Sequence, residues 1–158
     1  MSDMRALYQE VILDHNRKPR NFGPLEGANR VAQGTNPLCG DNYTIYARVN
    51  DDNIVEAVSF EGSGCAISKA AASMMTTRIK GKKVESAEQL IEEFRAMLTG
   101  ELDLQGDHSL GHLTVFEGVA QLPQRVKCAV LPWHAMHAAL EGDDETSTEG
   151  DSDIWSKE

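Results

Sequence analysis

The chain is poor in several residue types, and each shortage excludes something. Only 6% of its 158 residues are aromatic, three are cysteine and five are proline. No stretch approaches the roughly 18 consecutive apolar residues of a membrane span, and the N-terminus does not read as a secretory leader. A cytoplasmic protein with no membrane association is therefore expected. An odd number of cysteines without an export signal reads as reduced thiols and not as a disulfide framework. Basic residues are also scarce: 15 Lys and Arg face 25 Asp and Glu, for a net charge of −10. That balance opposes a nucleic-acid partner, because phosphate contacts need a basic face.

The acidity is concentrated. Residues 141–158 hold eight acids and one lysine, whereas residues 1–140 are close to balanced, with 17 acids and 14 bases. This length is enough for one domain with a real core. The expected division is a domain over 1–140 and an acidic, disordered tail over 141–158, whose glycine-punctuated polar sequence has too little apolar surface to order itself. Ile154 and Trp155 near its end are expected to remain solvated.

What is present is a set of three cysteines in distinctive settings. Two lie in glycine-marked loops, Pro37-Leu38-Cys39-Gly40-Asp41 and Glu61-Gly62-Ser63-Gly64-Cys65. The third opens a helical segment, Arg125-Val126-Lys127-Cys128. Three thiolates and the carboxylate of Asp41 make a complete tetrahedral shell for zinc, or a mount for iron or a [2Fe–2S] cluster.

The segment between the first two cysteines explains how they meet. Tyr43, Ile45, Ala47 and Val49 alternate with period two, and Val58 and Phe60 continue the pattern beyond Asn50-Asp51-Asp52-Asn53, a strong turn signal. An antiparallel hairpin places the start of its first strand beside the end of its second. Cys39 and Asp41 precede the first strand and Cys65 follows the second, so the turn brings both thiols and the carboxylate to one sheet edge. The third thiol must come from another element.

Around the hairpin, periodicity predicts a helix over residues 3–17, ended by Pro19, and a short strand over 29–33. A second helix is expected from Cys65 to Lys80, with Gly81 as its stop and Ile67, Ala70, Ala71, Met74 and Ile79 on its apolar side. A thiol at its N-terminus is favoured as thiolate by the exposed N–H groups. Ser86-Ala87-Glu88-Gln89 reads as a capping box for a third helix buried through Leu90, Ile91, Phe94, Met97 and Leu98. Residues 102–122 read as a loop, leading to a last helix with Cys128 near its start. Pro132 obstructs that helix, since its ring clashes with the carbonyl of Cys128. The helix therefore either begins late, with Pro132 in its first turn, or kinks beside Cys128. The fold class is α+β: a small, mainly antiparallel three-stranded sheet packed by helices.

In order along the chain, Leu7-Tyr8-Gln9-Glu10-Val11-Ile12-Leu13-Asp14-His15, Pro19-Arg20-Asn21, Pro37-Leu38-Cys39-Gly40-Asp41, Gly62-Ser63-Gly64-Cys65-Ala66-Ile67-Ser68 and Lys127-Cys128 resemble the IscU/NifU-N family of iron–sulfur cluster assembly proteins. The resemblance spans about residues 5–140 and is greater to the SufU-type branch. Scaffold-type members usually place histidine before the third cysteine, where this chain has Lys127. SufU-type members also carry an insertion of roughly twenty residues ahead of that cysteine; Cys65 and Cys128 are 63 positions apart here, and the capped helix near 86–98 lies in the expanded segment. One departure is Asn16, where the family commonly has tyrosine.

The resemblance implies an IscU-like (SufE–NifU) fold and Zn2+ as the resident ion, held by Cys39, Asp41, Cys65 and Cys128. It implies a zinc-dependent sulfurtransferase in which Cys39 accepts persulfide sulfur from a cysteine desulfurase of SufS type, with downstream cluster-assembly proteins as further partners. Gly40 would give Cys39 the freedom to react, and Arg125 and Lys127 would offset the negative charge of the ligands. The alternatives are a scaffold for a [2Fe–2S] cluster and a zinc module that only binds a partner. Blander readings also stand beside these: cysteines as small buried apolar residues, Asp41 as a turn residue, and Arg125 and Lys127 as a solvated helix start. His134 and His137 are read as complementing a helix dipole, His15 as structural or partner-facing, and Met74 and Met75 as core.

Overall fold

The computed structural model describes residues 2–37, 40–103, 106, 108–142 and 145–147. Helix α1 (Ser2–Arg17) leads to strands β1 (Arg30–Asn36), β2 (Asp41–Val49) and β3 (Val55–Ser63). Helices α2 (Ala66–Ile79) and α3 (Val84–Leu98) follow, then an eleven-residue 3-10 helix (Gly111–Gln121), α4 (Pro123–Glu141) and a short strand β4 (Glu145–Ser147).

The alternation in β2 sets the sheet's orientation. Asp41, Tyr43, Ile45, Ala47 and Val49 are all buried, while the residues between them are more exposed. The sheet runs β3-β2-β1-β4, with β1, β2 and β3 antiparallel as expected. The hairpin turn is held by Asn50, whose Oδ1 accepts from the N–H groups of Asp52 and Ile54, and Asn53 adopts φ +65°. Register places Asn42 opposite Ser63 and, across β1, Asp41 opposite Asn36. The β1–β2 loop and the β3–α2 junction therefore emerge at the same end.

On the buried face, the small side chains Ala70, Ala71 and Ala72 let α2 pack closely, and Met74 and Met75 belong to the core as expected. At the far end Trp133 of α4 stacks on Phe94 of α3 at 4.4 Å, and Phe94 meets Phe116 of the 3-10 helix edge-on at 5.6 Å. The region expected as a loop over 102–122 thus supplies core side chains: Leu110, Leu113, Phe116 and Val119 are buried.

Several boundaries differ from expectation. The third helix begins at Val84 with Lys83 as N-cap, so Ser86 lies inside the first turn and forms no cap. The chain entering α3 is instead tied to the hairpin: the Val84 N–H donates to the Asn53 carbonyl and the Val55 N–H to that of Lys82. Backbone pairing anchors the helix start and occupies the Val84 N–H, and Lys83 makes no side-chain cap bond. In α4, Pro123 occupies the first turn and Pro132 lies in the helix interior, so the late start is excluded. Past residue 140, α4 continues to Glu141 and ends on Gly142 at φ +88°, and Glu145–Ser147 pair in parallel with Gln33–Thr35. Part of the segment expected as a solvated tail is therefore an edge strand; Ile154 and Trp155 lie outside the described residues. Among the described residues no helix is long and apolar enough to cross a membrane.

Candidate metal centre

Three of the four expected ligands converge. Ligand atoms of Asp41, Cys65 and Cys128 all lie within 4.8 Å of one another. They arrive from the first residue of β2, the N-cap of α2 and the second turn of α4. Asp41 and Cys128 are buried and Cys65 is half-buried. Cys39 and its neighbour Leu38 lie outside the described residues. Gly40 follows them at φ +79°, a left-handed conformation suited to glycine, and its N–H donates to the Asn36 carbonyl at 2.8 Å. Cys39 is covalently two residues from Asp41, within about 8 Å Cα to Cα.

The Asp41 carboxylate reaches across to the start of α2 and does more than close a turn. Its Oδ1 accepts the Cys65 N–H at 3.1 Å, and its Oδ2 lies 4.0 Å from Cys65 Sγ. Cys65 Sγ in turn accepts the Ser68 N–H at 3.5 Å, the capping bond of α2. The thiol thus sits where the helix presents its unsatisfied N–H groups. Cys128 Sγ lies 3.7 Å from the Gln124 carbonyl oxygen and 4.0 Å from Asn36 Nδ2.

Behind these ligands is a buried polar layer that the sequence reading missed. Ser68 Oγ lies 2.9 Å from the Tyr43 hydroxyl, donates to the Cys65 carbonyl at 3.0 Å and comes within 3.6 Å of Cys65 Sγ. Tyr43, Ser68 and Asn36 are each at most 1% exposed. Burial drives the Tyr43 phenol pKa well above its usual value, and negative charge on Asp41, Cys65 and Cys128 adds to the rise against the opposing Ser68 hydrogen bond. Tyr43 therefore remains a neutral donor. Gly64 is required by contact: a Cβ there would meet Asp41 Oδ1 at 2.6 Å, Ser68 Oγ at 2.7 Å and the Tyr43 hydroxyl at 2.8 Å. Ser68 stood in the quoted Gly-Ser-Gly-Cys-Ala-Ile-Ser run, and Tyr43 carried a hydroxyl on a buried strand face, which always needs a partner. Those were the available signals.

Of the supporting residues, Arg125 is exposed and Lys127 half-buried, both on the opening turns of α4 beside Cys128. His15 is structural: its Nδ1 lies 2.6 Å from Ser73 Oγ, which also accepts the Arg20 N–H, tying α1 and the following turn to α2. The dipole reading of His134 is corrected, because its side chain is buried in the middle of α4, where desolvation pushes its pKa down to about 4. His137 instead meets Glu88 of α3, its Nδ1 lying 2.6 Å from Oε1.

The donor set fits zinc. Two sulfurs and a carboxylate oxygen, closely grouped and partly buried, match the ligands zinc prefers, and burying a carboxylate beside two thiols without an ion would be costly.

Comparison with known proteins shows the family. The model of the NifU-like N-terminal domain family matches residues 7–146. The zinc-dependent sulfurtransferase SufU of Bacillus subtilis (strain 168) is 40% identical over 139 residues, covering 88% of this chain and 92% of that protein. The iron–sulfur cluster assembly scaffold protein IscU of Streptococcus pyogenes serotype M1 is 38% identical, over 89% of this chain and 86% of its own length. The crystal structure of FiSufU from Fervidobacterium islandicum AW-1, described as an iron–sulfur cluster assembly scaffold protein for the SUF system, superposes with a TM-score of 0.77 at 36% identity, covering 83% of this chain and 94% of that one.

Proposed function

This chain belongs to the NifU-like N-terminal domain family of iron–sulfur cluster assembly proteins, and we propose that within it the protein is a zinc-dependent sulfur acceptor that takes persulfide sulfur from a cysteine desulfurase. The observation that carries the reading is the convergence of Asp41, Cys65 and Cys128 at the loop that bears Cys39. Lys127 before the third cysteine supports it, as does the length of the segment between Cys65 and Cys128, which holds α2, α3 and the 3-10 helix.

Zinc held by Cys39, Asp41, Cys65 and Cys128 would keep the thiols ionised at neutral pH without offering redox chemistry of its own. Cys65 and Cys128 are anchored by helices and serve as fixed ligands. Asp41 fixes the junction through its bond to the Cys65 N–H, and Tyr43 and Ser68 hold that thiol in place. Cys39, on the loop that ends at Gly40, is the nucleophile. Its thiolate attacks the terminal sulfur of the partner's persulfide; that S–S bond breaks, a new one forms on Cys39, and the electron pair leaves on the partner's thiolate. Arg125 and Lys127 balance the negative charge at the mouth of the site. A SufS-type desulfurase is the proposed partner and the cytoplasm the proposed compartment.

The test is incubation with desulfurase and cysteine, followed by mass spectrometry and zinc analysis. Wild type should carry persulfide on Cys39 and hold zinc; Cys39→Ser should carry none and give no stimulation, since a serine hydroxyl is neither ionised nor able to form a persulfide. Persulfide on Cys65 or Cys128 with Cys39 unmodified would reassign the acceptor. The second reading, a [2Fe–2S] scaffold, is favoured by the IscU relatives. A brown protein with visible absorption bands as isolated would place it ahead.

A further inference from the structure

A second group of metal-ligating side chains lies well away from the thiolate centre. Glu88 of α3 and His137 and Glu141 of α4 present ligand atoms that all lie within 4.8 Å of one another. His137 and Glu141 are four residues apart, hence on one face of α4, and α3 packs its Glu88 against that face. His137 is nine residues from Cys128, which at about 1.5 Å per residue separates the two groups by about 13 Å along the helix. They cannot share an ion.

Beyond the His137–Glu88 pair, Glu141 adds a further carboxylate beside the same imidazole. Two carboxylates surround one imidazole, and Glu141 is the last residue of α4, where the helix dipole already places partial negative charge. A protonated His137 would offset one carboxylate at most. A divalent cation would offset both and also suit the helix end, and one imidazole nitrogen with two carboxylate oxygens is a donor set for zinc and its first-row neighbours. We propose that Glu88, His137 and Glu141 form a second, thiol-free binding site for a first-row divalent cation, with water completing its shell. Because its ligands are half-buried to exposed and none is a thiolate, it is the weaker and more readily exchanged of the two sites.

Co2+ alone, added to the metal-stripped full chain, separates the sites, since only thiolate coordination gives an intense near-ultraviolet charge-transfer band. Equilibrium dialysis should find two Co2+ per chain, with the band complete after the first. In Glu141→Gln and in His137→Ala the capacity should fall to one with the band unchanged, which also reports that the protein is folded. One Co2+ per wild-type chain with a full band, or a capacity of two that survives both substitutions, would overturn the proposal. If Co2+ bound without any thiolate band and was lost in His137→Ala, this site would stand while the zinc reading of the thiolate centre failed. In protein already holding one zinc per chain, which fills the thiolate centre, paramagnetic broadening by added Mn2+, followed by NMR, should centre on residues 88, 137 and 141; broadening that spares these three would likewise count against it.

Discussion

Near the start of α4, Cys128 faces Asp41, Cys65 and the amide of Asn36, whereas five residues further along the same helix Trp133 lies stacked on Phe94. The two ends of the molecule are held by different physics. At the ring end, apolar area removed from water stabilises the fold without help. At the thiol end, the buried polar groups of Ser68, Asn36 and Asp41 contribute little net burial energy, because each exchanges hydrogen bonds with water for bonds within the protein. That end is organised around ligands, and its stability should depend on what they hold. The comparison teaches that one helix can couple a self-sufficient core to a site that needs its ion.

The sharpest way to break this contrast is to remove the ring. Trp133→Ala should cost about 3–5 kcal/mol, the range for truncating a large buried aromatic. The loss should be the same in zinc buffer and in chelator when measured by urea denaturation. A loss confined to the zinc-loaded protein would mean the two ends are not energetically distinct.

His134 gives a pH test of the same apolar region. Burial, with His137 as the lesser cause, pushes its pKa down from 6.5 to about 4. The native state keeps the ring neutral while the unfolded chain takes up a proton below about pH 6.5, so the unfolded state binds more protons throughout the interval. Stability contributed by the neutral ring is complete above pH 6.5 and lost as pH falls toward 4, by about 3 kcal/mol across the window at about 1.4 kcal/mol per unit. His134→Gln should flatten this part of the stability–pH curve. An unchanged slope in that variant would assign the acid sensitivity to other groups.

Asp41→Ala probes the thiol end. Zinc at a hundred times its dissociation constant stabilises a folded protein by about 2.7 kcal/mol, and this increment should largely vanish in the variant. In chelator the substitution should cost less than the unpaired Cys65 N–H alone would, about 1–3 kcal/mol, because it also removes a carboxylate buried without an ion. Equal zinc stabilisation of variant and wild type would remove Asp41 from the ligand set. Gly64→Ala should act more mildly, costing about 1–3 kcal/mol through overpacking. Its Cβ must displace Asp41 Oδ1, Ser68 Oγ and the Tyr43 hydroxyl together, so zinc affinity should fall with stability.

The contrast also explains what could be read from the sequence. Period-two alternation through Tyr43, Ile45, Ala47 and Val49 records burial on one face, so the hairpin and the meeting of Asp41 with Cys65 were legible. Cys65 as the start of α2 was legible because a helix N-terminus and a glycine loop leave local signatures. The 3-10 helix was not: residues 102–122 read as a loop, and its order comes from burial of Leu113, Phe116 and Val119 in the core. Ser86 had the composition of a cap, but backbone bonds to the hairpin had already set the helix start. Burial of His134 was hidden for a similar reason, since position along a helix does not reveal which face meets the core.

Strand β4 is the least legible element, and it sets up the smallest expected effect. Glu145, Thr146 and Ser147 have no apolar pattern, and only pairing with Gln33, Gly34 and Thr35 makes them a strand. That pairing covers the edge of β1, which runs directly into Asn36 and the loop bearing Cys39. A chain ended after residue 147 should match the full protein in stability and zinc content. One ended after Gly142 should lose about 1 kcal/mol, the net worth of roughly one backbone hydrogen bond in a short exposed ladder. It should also show faster amide exchange along β1. The loss should not reach the ring end, so exchange in α3 should be unchanged. Identical stability and identical β1 exchange in the two shortened chains would show that β4 holds nothing in place, and the functional domain would then end at residue 140, as the acidic composition alone suggests.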